Sequence, residues 1–233
     1  YKDKIDEAKK IIKKSKKKDG SNLLLKQTEE FILNDKKEKI INFFSFNNSQ
    51  DALAEFFYIV SNSLSAQSVY SLSNFYLNLA KYLNPQLISY ETLYAENSLL
   101  DGNDVKSEKL YKKIKSKGSV YSWYASKKIF QILIDKKKDK EALLFIEKSF
   151  KKILKPNIYE TYDYARILKN NEKYEESIKY FTDVLSLIEK KHELYPKASE
   201  GRGVAYERLD QWSLAEKDFL NSLKEKPNQP YVI

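Results

Sequence analysis

The stretch "GRGVAYERLDQWSLAEKDFLNSLKEKPNQP", residues 201–230, sets small, aromatic and helix-stopping residues at fixed intervals. Gly203 and Ala215 are twelve apart, Tyr206 follows the glycine by three, Phe219 follows the alanine by four, and Pro227 lies eight further on. Two helices that cross closely cannot both carry bulk at the crossing, so Gly203 and Ala215 mark a point of close approach. Tyr206 and Phe219 are the sizes that fill the wedge around it. Pro227 cannot continue a helix and disfavours helix at the residue before it. Asp210 and Gln211 form the polar turn between the two helices.

The same frame runs back along the chain. A unit from Ile158 puts Ala165, Leu168, Ser177 and Phe181 in the corresponding places. A unit from Trp123 fits through Ala142 and Ile146, although bulky Phe130 takes its small place. A unit from Ile88 offers Ala95, Ser107 and Tyr111, with "DGND" as a turn followed by an N-cap. A unit from Ala54 offers Ser61, Ser73, Leu77, Ala80 and Pro85. Starts at 54, 88, 123, 158 and 196 are spaced by 34, 35, 35 and 38 residues. The four additional residues of the last interval, in "LSLIEKKHELYP", are expected to form one more helical turn. Upstream of 54 the pattern decays, but "SNLLLKQTEEFILN" and "DKKEKIINFFSF" still have helix-period apolar residues. The opening segment, with Ile5, Ala8, Ile11 and Ile12 on one face, suits the second helix of a truncated unit. "PYVI" at 230–233 suits the start of another first helix, so a fragment of a longer array is expected.

These positions resemble the tetratricopeptide repeat, a helix–turn–helix unit of about 34 residues. The resemblance implies an all-α, right-handed superhelical solenoid of antiparallel helix pairs. Residues 1–53 are its degenerate N-terminal repeats and 54–233 its five recognisable pairs, continuous as one array.

Composition agrees. Glycine and proline number five each, too few for a hairpin-rich β protein, and 42% hydrophobic residues suffice for a core. There is no cysteine, which excludes disulfides, thiolate nucleophiles and cysteine-ligated metals. The net charge is +9, but residues 1–18 hold nine lysines against three acids, leaving +3 for the remaining 215 residues. Basicity is therefore mostly a terminal feature and not a continuous track for a phosphate backbone. The lone histidine, His192, reads as an exposed helix residue, Glu29–Glu30 and Glu175–Glu176 as structural charge, and Trp123 and Trp212 as wedge residues. The lysine runs "KKSKKK" and "DKKKDK" read as solvated faces. No catalytic residue, cofactor or metal ligand is expected, and no apolar run is long enough to span a membrane.

In the tetratricopeptide family places 2, 5, 9, 12 and 13 of each unit face a concave groove. The resemblance thus nominates Tyr124, Lys127 and Gln131 in one unit, Tyr159, Tyr162, Arg166, Lys169 and Asn170 in the next, and Lys197 with Glu200 in the last. Such a mixed aromatic and basic surface suits a peptide of acidic character. The lysine–asparagine pair of chaperone-tail grooves is absent, since Lys127 is followed by Gln131 and Tyr58 by Asn62. The C-terminal run also resembles long α-proteobacterial tetratricopeptide proteins, some of whose γ-proteobacterial relatives are lipoprotein adaptors for a periplasmic protease. That resemblance implies a non-catalytic scaffold or adaptor in the bacterial periplasm or envelope, with the cytoplasm as alternative. The relatives' lipid-anchoring cysteine is missing here. An RNA-binding helical repeat is the alternative function that the net charge suggests.

Replacing Gly203 by leucine should overpack the last crossing and cost about 1–3 kcal/mol, read as a lowered urea midpoint. An unchanged midpoint would remove the packing role of this residue.

Overall fold

A computed structural model describes residues 4–18, 22–36, 40 and 48–227. Its helices are α1 (Ile5–Lys18), α2 (Leu23–Leu33), α3 (Ser49–Ala66), α4 (Tyr70–Leu83), α5 (Ser89–Leu100), α6 (Asp104–Ile114), α7 (Ser119–Asp135), α8 (Asp139–Lys151), α9 (Ile158–Asn170), α10 (Tyr174–Leu187), α11 (Tyr195–Arg208) and α12 (Trp212–Glu225). Among the described residues there is no strand. The fold is an all-α array of antiparallel helix pairs of the tetratricopeptide kind, divided into two units, Tyr1–Ser149 and Phe150–Ile233.

The turns inside the pairs share one backbone solution. Asp35, Ser68, Gly102, Lys137, Glu172 and Asp210 have φ of 54°, 61°, 76°, 57°, 62° and 58°. At each, the next residue's N–H reaches back five residues: Lys36 to Phe31, Val69 to Leu64, Asn103 to Ser98, Lys138 to Leu133, Lys173 to Leu168 and Gln211 to Tyr206, all at 2.8–3.0 Å. This left-handed helix stop satisfies carbonyls that the helix end leaves open and reverses the chain within three residues. From Ser68 onward the left-handed residues are 34, 35, 35 and 38 apart, the spacing of the units themselves. Asp35, just after α2, extends the series by 33. Five of the six residues are not glycine, so the turn conformation is imposed by helix packing against local preference.

Within unit 1, α3 packs on α4, α4 on α5, α5 on α6 and α6 on α7; within unit 2, α9 packs on α10, α10 on α11 and α11 on α12. The expected small and apolar places are in the core. Ala54, Ser61, Ser73, Leu77, Ala80, Ser107, Tyr111, Ala142, Ile146, Ala165, Ser177, Phe181 and Ala215 are all buried, and so is bulky Phe130. Two crossings carry a hydroxyl bridge: Ser73 Oγ donates to the Ser61 carbonyl at 2.8 Å, and Ser107 Oγ to the Ala95 carbonyl at 3.0 Å. Both bonds join places twelve residues apart. Burying a serine there needs such an acceptor, because an unpaired hydroxyl would be costly. Asn97, with no exposed surface, ties three helices of unit 1 together. It accepts from Ser65 at 2.6 Å and donates to Ser73 at 2.8 Å and Asn74 at 3.0 Å. In unit 2 a cluster of rings does similar work: Phe150 stacks on Tyr164 at 4.2 Å, and Tyr180 meets both edge-on.

Three expectations change. The insertion after α10 is not an added helical turn, because α10 stops at Leu187 and Ile188 is extended (φ −125°, ψ 148°). His192 therefore lies in a loop, half-buried, with Nδ1 accepting from the Leu194 N–H at 3.1 Å. Trp123 is buried as a wedge residue should be, but Trp212 is 62% exposed, since no later described helix covers that side of α12. "DGND" behaves as read: Gly102 takes the left-handed turn and the Asn103 side chain caps α6 through the Lys106 N–H at 3.1 Å. "DKKEKIINFFSF" lies largely, and "PYVI" wholly, outside the described residues.

If packing imposes the turn, then glycine at a strained turn residue should relieve it. Glu172→Gly is expected to stabilise unit 2 by up to about 1 kcal/mol, measured as a raised urea midpoint with unchanged slope. A lowered midpoint would show that Glu172 bears no backbone strain.

Candidate functional site

The first helices present the nominated side chains, but not equally. In unit 1, Tyr124 of α7 is spoken for. Its hydroxyl donates to Glu96 at 2.6 Å, its ring lies 6.0 Å from that of Tyr111, and Lys128 both pairs with Glu96 at 3.4 Å and sits over the Tyr124 ring. Burial, Tyr111 and Glu96 together push its hydroxyl far above the usual tyrosine range. Gln131 is exposed and donates to Asp135 at 2.8 Å, one turn along the same helix. Lys127 is half-buried. This face is an internally braced network, so a partner here would meet groups already engaged.

Unit 2 differs. Tyr162, Arg166 and Lys169 follow one another at helical spacing on α9, and all three act electrostatically with Glu200 or with one another. Tyr162 is half-buried with its ring edge against Phe181 at 5.9 Å. Burial raises its hydroxyl, Arg166 opposes that and Glu200 adds to it. Burial likewise lowers the Lys169 ammonium, which Glu200 counteracts and Arg166 reinforces. Arg166 is exposed. Arg166 acts on both Tyr162 and Lys169, with Glu200 and Asp163 as carboxylates near the anchored ring. Tyr159 stands at the rim, where its hydroxyl donates to Glu193 at 3.0 Å and its ring lies 6.1 Å from His192. Asn170 and Lys197 are exposed and stand outside this cluster.

Two features of α11 escaped the sequence reading. Arg202 of α11 grips Asp218 of α12 through Nε at 2.6 Å and Nη2 at 2.8 Å, while Nη1 donates to Thr182 of α10 at 2.9 Å. Asp218 is almost wholly enclosed, and its carboxylate raises the guanidinium pKa further. The clue was Asp218 lying three residues after Ala215 and four before Ser222, a carboxylate on the buried stripe. Gly201 is the second. A Cβ there would sit 2.5 Å from the Phe181 ring of the preceding pair, so "GRG" serves two approaches, one within a pair and one between pairs. In unit 1, α2 also packs on α7, with Gln27 and Glu30 at the contact.

Among the described residues no group of three or more histidine, cysteine or acidic side chains could hold a metal ion, and no helix is long and apolar enough to cross a membrane.

No protein-family model and no curated protein matches the chain. Solved structures do. YrrB, a TPR protein with an unusual peptide-binding site, is similar at TM-score 0.51 and 14% identity over 80% of this chain and 92% of its own. The TPR-like repeats of a kinesin light chain from Podosopora anserina match at TM-score 0.56 and 10% identity, over 76% and 96% of the two chains. A chain of the APC/C hetero-tetramer Cut9–Hcn1 matches at TM-score 0.52 and 14% identity, over 95% of this chain but 43% of its own. At such identities the likeness establishes the tetratricopeptide-repeat fold.

Arg202→Ala should destabilise unit 2 by about 3 kcal/mol, because it strands a buried carboxylate. The double replacement Arg202→Met/Asp218→Leu should recover most of that loss. Equal destabilisation of both variants in chemical unfolding would contradict the stranded-charge account.

Proposed function

We propose that the chain is a non-catalytic scaffold that holds a protein or peptide partner on the first-helix face of unit 2. The observation that carries this reading is the convergence of Tyr162, Arg166 and Lys169 opposite Glu200. An anchored aromatic offers apolar area at little entropic cost, and the exposed Arg166 guanidinium favours a carboxylate-bearing ligand. The ligand class is thus an acidic peptide segment docking along α9. Support comes from the repeat fold, from the buried positions being consumed by packing, and from YrrB, a protein of this fold with a peptide-binding site. The resemblance of the C-terminal run to exported α-proteobacterial proteins favours the bacterial envelope as the place of action.

The test is an array of 15-residue peptides probed with the whole chain. Bound peptides should be enriched in aspartate and glutamate. The double variant Tyr162→Ala/Arg166→Ala should lose about ten-fold or more in affinity, equivalent to about 1.4 kcal/mol, with its helical circular dichroism retained at the assay temperature. Equal capture by both proteins would remove this face as the site. Tight binding of single-stranded RNA with a steep salt dependence would replace the reading by the nucleic-acid one.

A further inference from the structure

The residues that lengthen the last repeat interval to 38 form an ordered loop before α11. After the extended Ile188 the chain closes on itself. The His192 N–H donates to the Glu189 carbonyl and the Tyr195 N–H to the His192 carbonyl, both at 2.9 Å, while His192 Nδ1 accepts from the Leu194 N–H at 3.1 Å. Leu194 is buried. The residue held between these two is Glu193, which is exposed and accepts from the Tyr159 hydroxyl at 3.0 Å. The insertion thus delivers a carboxylate to the first turn of α9. Burial, and after it Glu193, push the Tyr159 hydroxyl up, so it stays a donor to that carboxylate. Along α9, Tyr159, Tyr162 and Arg166 lie at i, i+3 and i+7 on one face, opposite the buried Tyr164, Ala165 and Leu168. That face is acidic where Glu193 joins it and basic at Arg166. The two ends are about 10 Å apart at a helical rise of ~1.5 Å per residue. An extended peptide covers this distance in about three residues at ~3.3 Å each. The Tyr159 and His192 rings, 6.1 Å apart, add aromatic surface at the acidic end, which suits a guanidinium or an alkylammonium.

We propose that the unit 2 face reads a bipolar extended segment, in which a basic residue for Glu193 and an acidic residue for Arg166 stand three positions apart, and that the inserted loop supplies the first of these two reading points. The proposal rests on the reading of unit 2 as a peptide site and narrows its ligand from acidic to bipolar. Lys190 and Lys191 of the same loop and Lys197 of α11 are exposed as well. Glu193 is the charged loop residue that α9 holds in place, so it sets the charge that a ligand meets beside Tyr159.

The probes are fluorescein-labelled peptides on a glycine–serine background, titrated into the whole chain. Two carry an arginine three positions before or after an Asp-Glu pair, and a third has serine in place of the arginine. One of the two bipolar peptides should bind the wild type about three- to five-fold tighter than the serine peptide, the scale of an exposed ion pair. Glu193→Gln, whose amide oxygen can still accept from Tyr159, should erase that difference, and Glu193→Lys should invert it. Lys190→Ser/Lys191→Ser should keep it. Moving the arginine to six positions from the acidic pair should abolish the gain. Equal binding of the bipolar and serine peptides by the wild type, a preference that survives Glu193→Gln, or a gain indifferent to spacing overturns the proposal and leaves unit 2 as a site for acidic peptides. Binding of none of the peptides overturns both readings.

Discussion

Most of the described pairs depend on two helix backbones passing so closely that only a hydrogen, a methyl or a hydroxyl fits between them, although the bulky Phe130 takes the small place in one. At two crossings the second helix carries a serine whose hydroxyl bonds a carbonyl of the first, Ser73 to Ser61 and Ser107 to Ala95, whereas that of Ser177 bonds Tyr174 in its own helix. Where the first helix carries glycine, an aromatic ring fills the space, as Phe219 does over Gly203. The short reversal that brings the helices together forces a left-handed residue into each turn, glycine or not. Crossing and turn are thus two consequences of one constraint, and the array follows from its repetition.

Polar groups on the buried stripes have a separate task. Asn97, Asp218 and Gln27 each stand where a periodic pattern calls for an apolar residue, and each is met by partners from other helices. An apolar side chain would pack in several registers, whereas a buried amide or carboxylate is satisfied in few. Such residues make the stacking selective, at the cost that removing one partner strands the other.

Function lies in what packing leaves over. Tyr124 and Tyr162 both sit on the first-helix face at helical spacing. Tyr124 is consumed by Glu96, Lys128 and Tyr111, while Tyr162 is anchored from below by Phe181 and bordered by Arg166. An aromatic on a first helix can be taken up in bracing the array in one unit and left bordered by a charged group in the next, according to the neighbours that the stack supplies.

The sequence by itself determined the helix pairs, their spacing and most of the core. Those properties depend on residues three to twelve apart, whose sizes can be compared along the chain. It misread "LSLIEKKHELYP", where helical periodicity continues past the point at which Ile188 turns extended, and it placed Trp212 in a wedge that no described helix closes. Only the tertiary structure decided that Arg202 clasps Asp218, that Gly201 answers to Phe181 as well as its own pair, and that Gln27 and Glu30 cap a helix 93 residues away. Such partners are chosen by which surfaces the stacking of pairs brings together in space, and a one-dimensional pattern carries no measure of that.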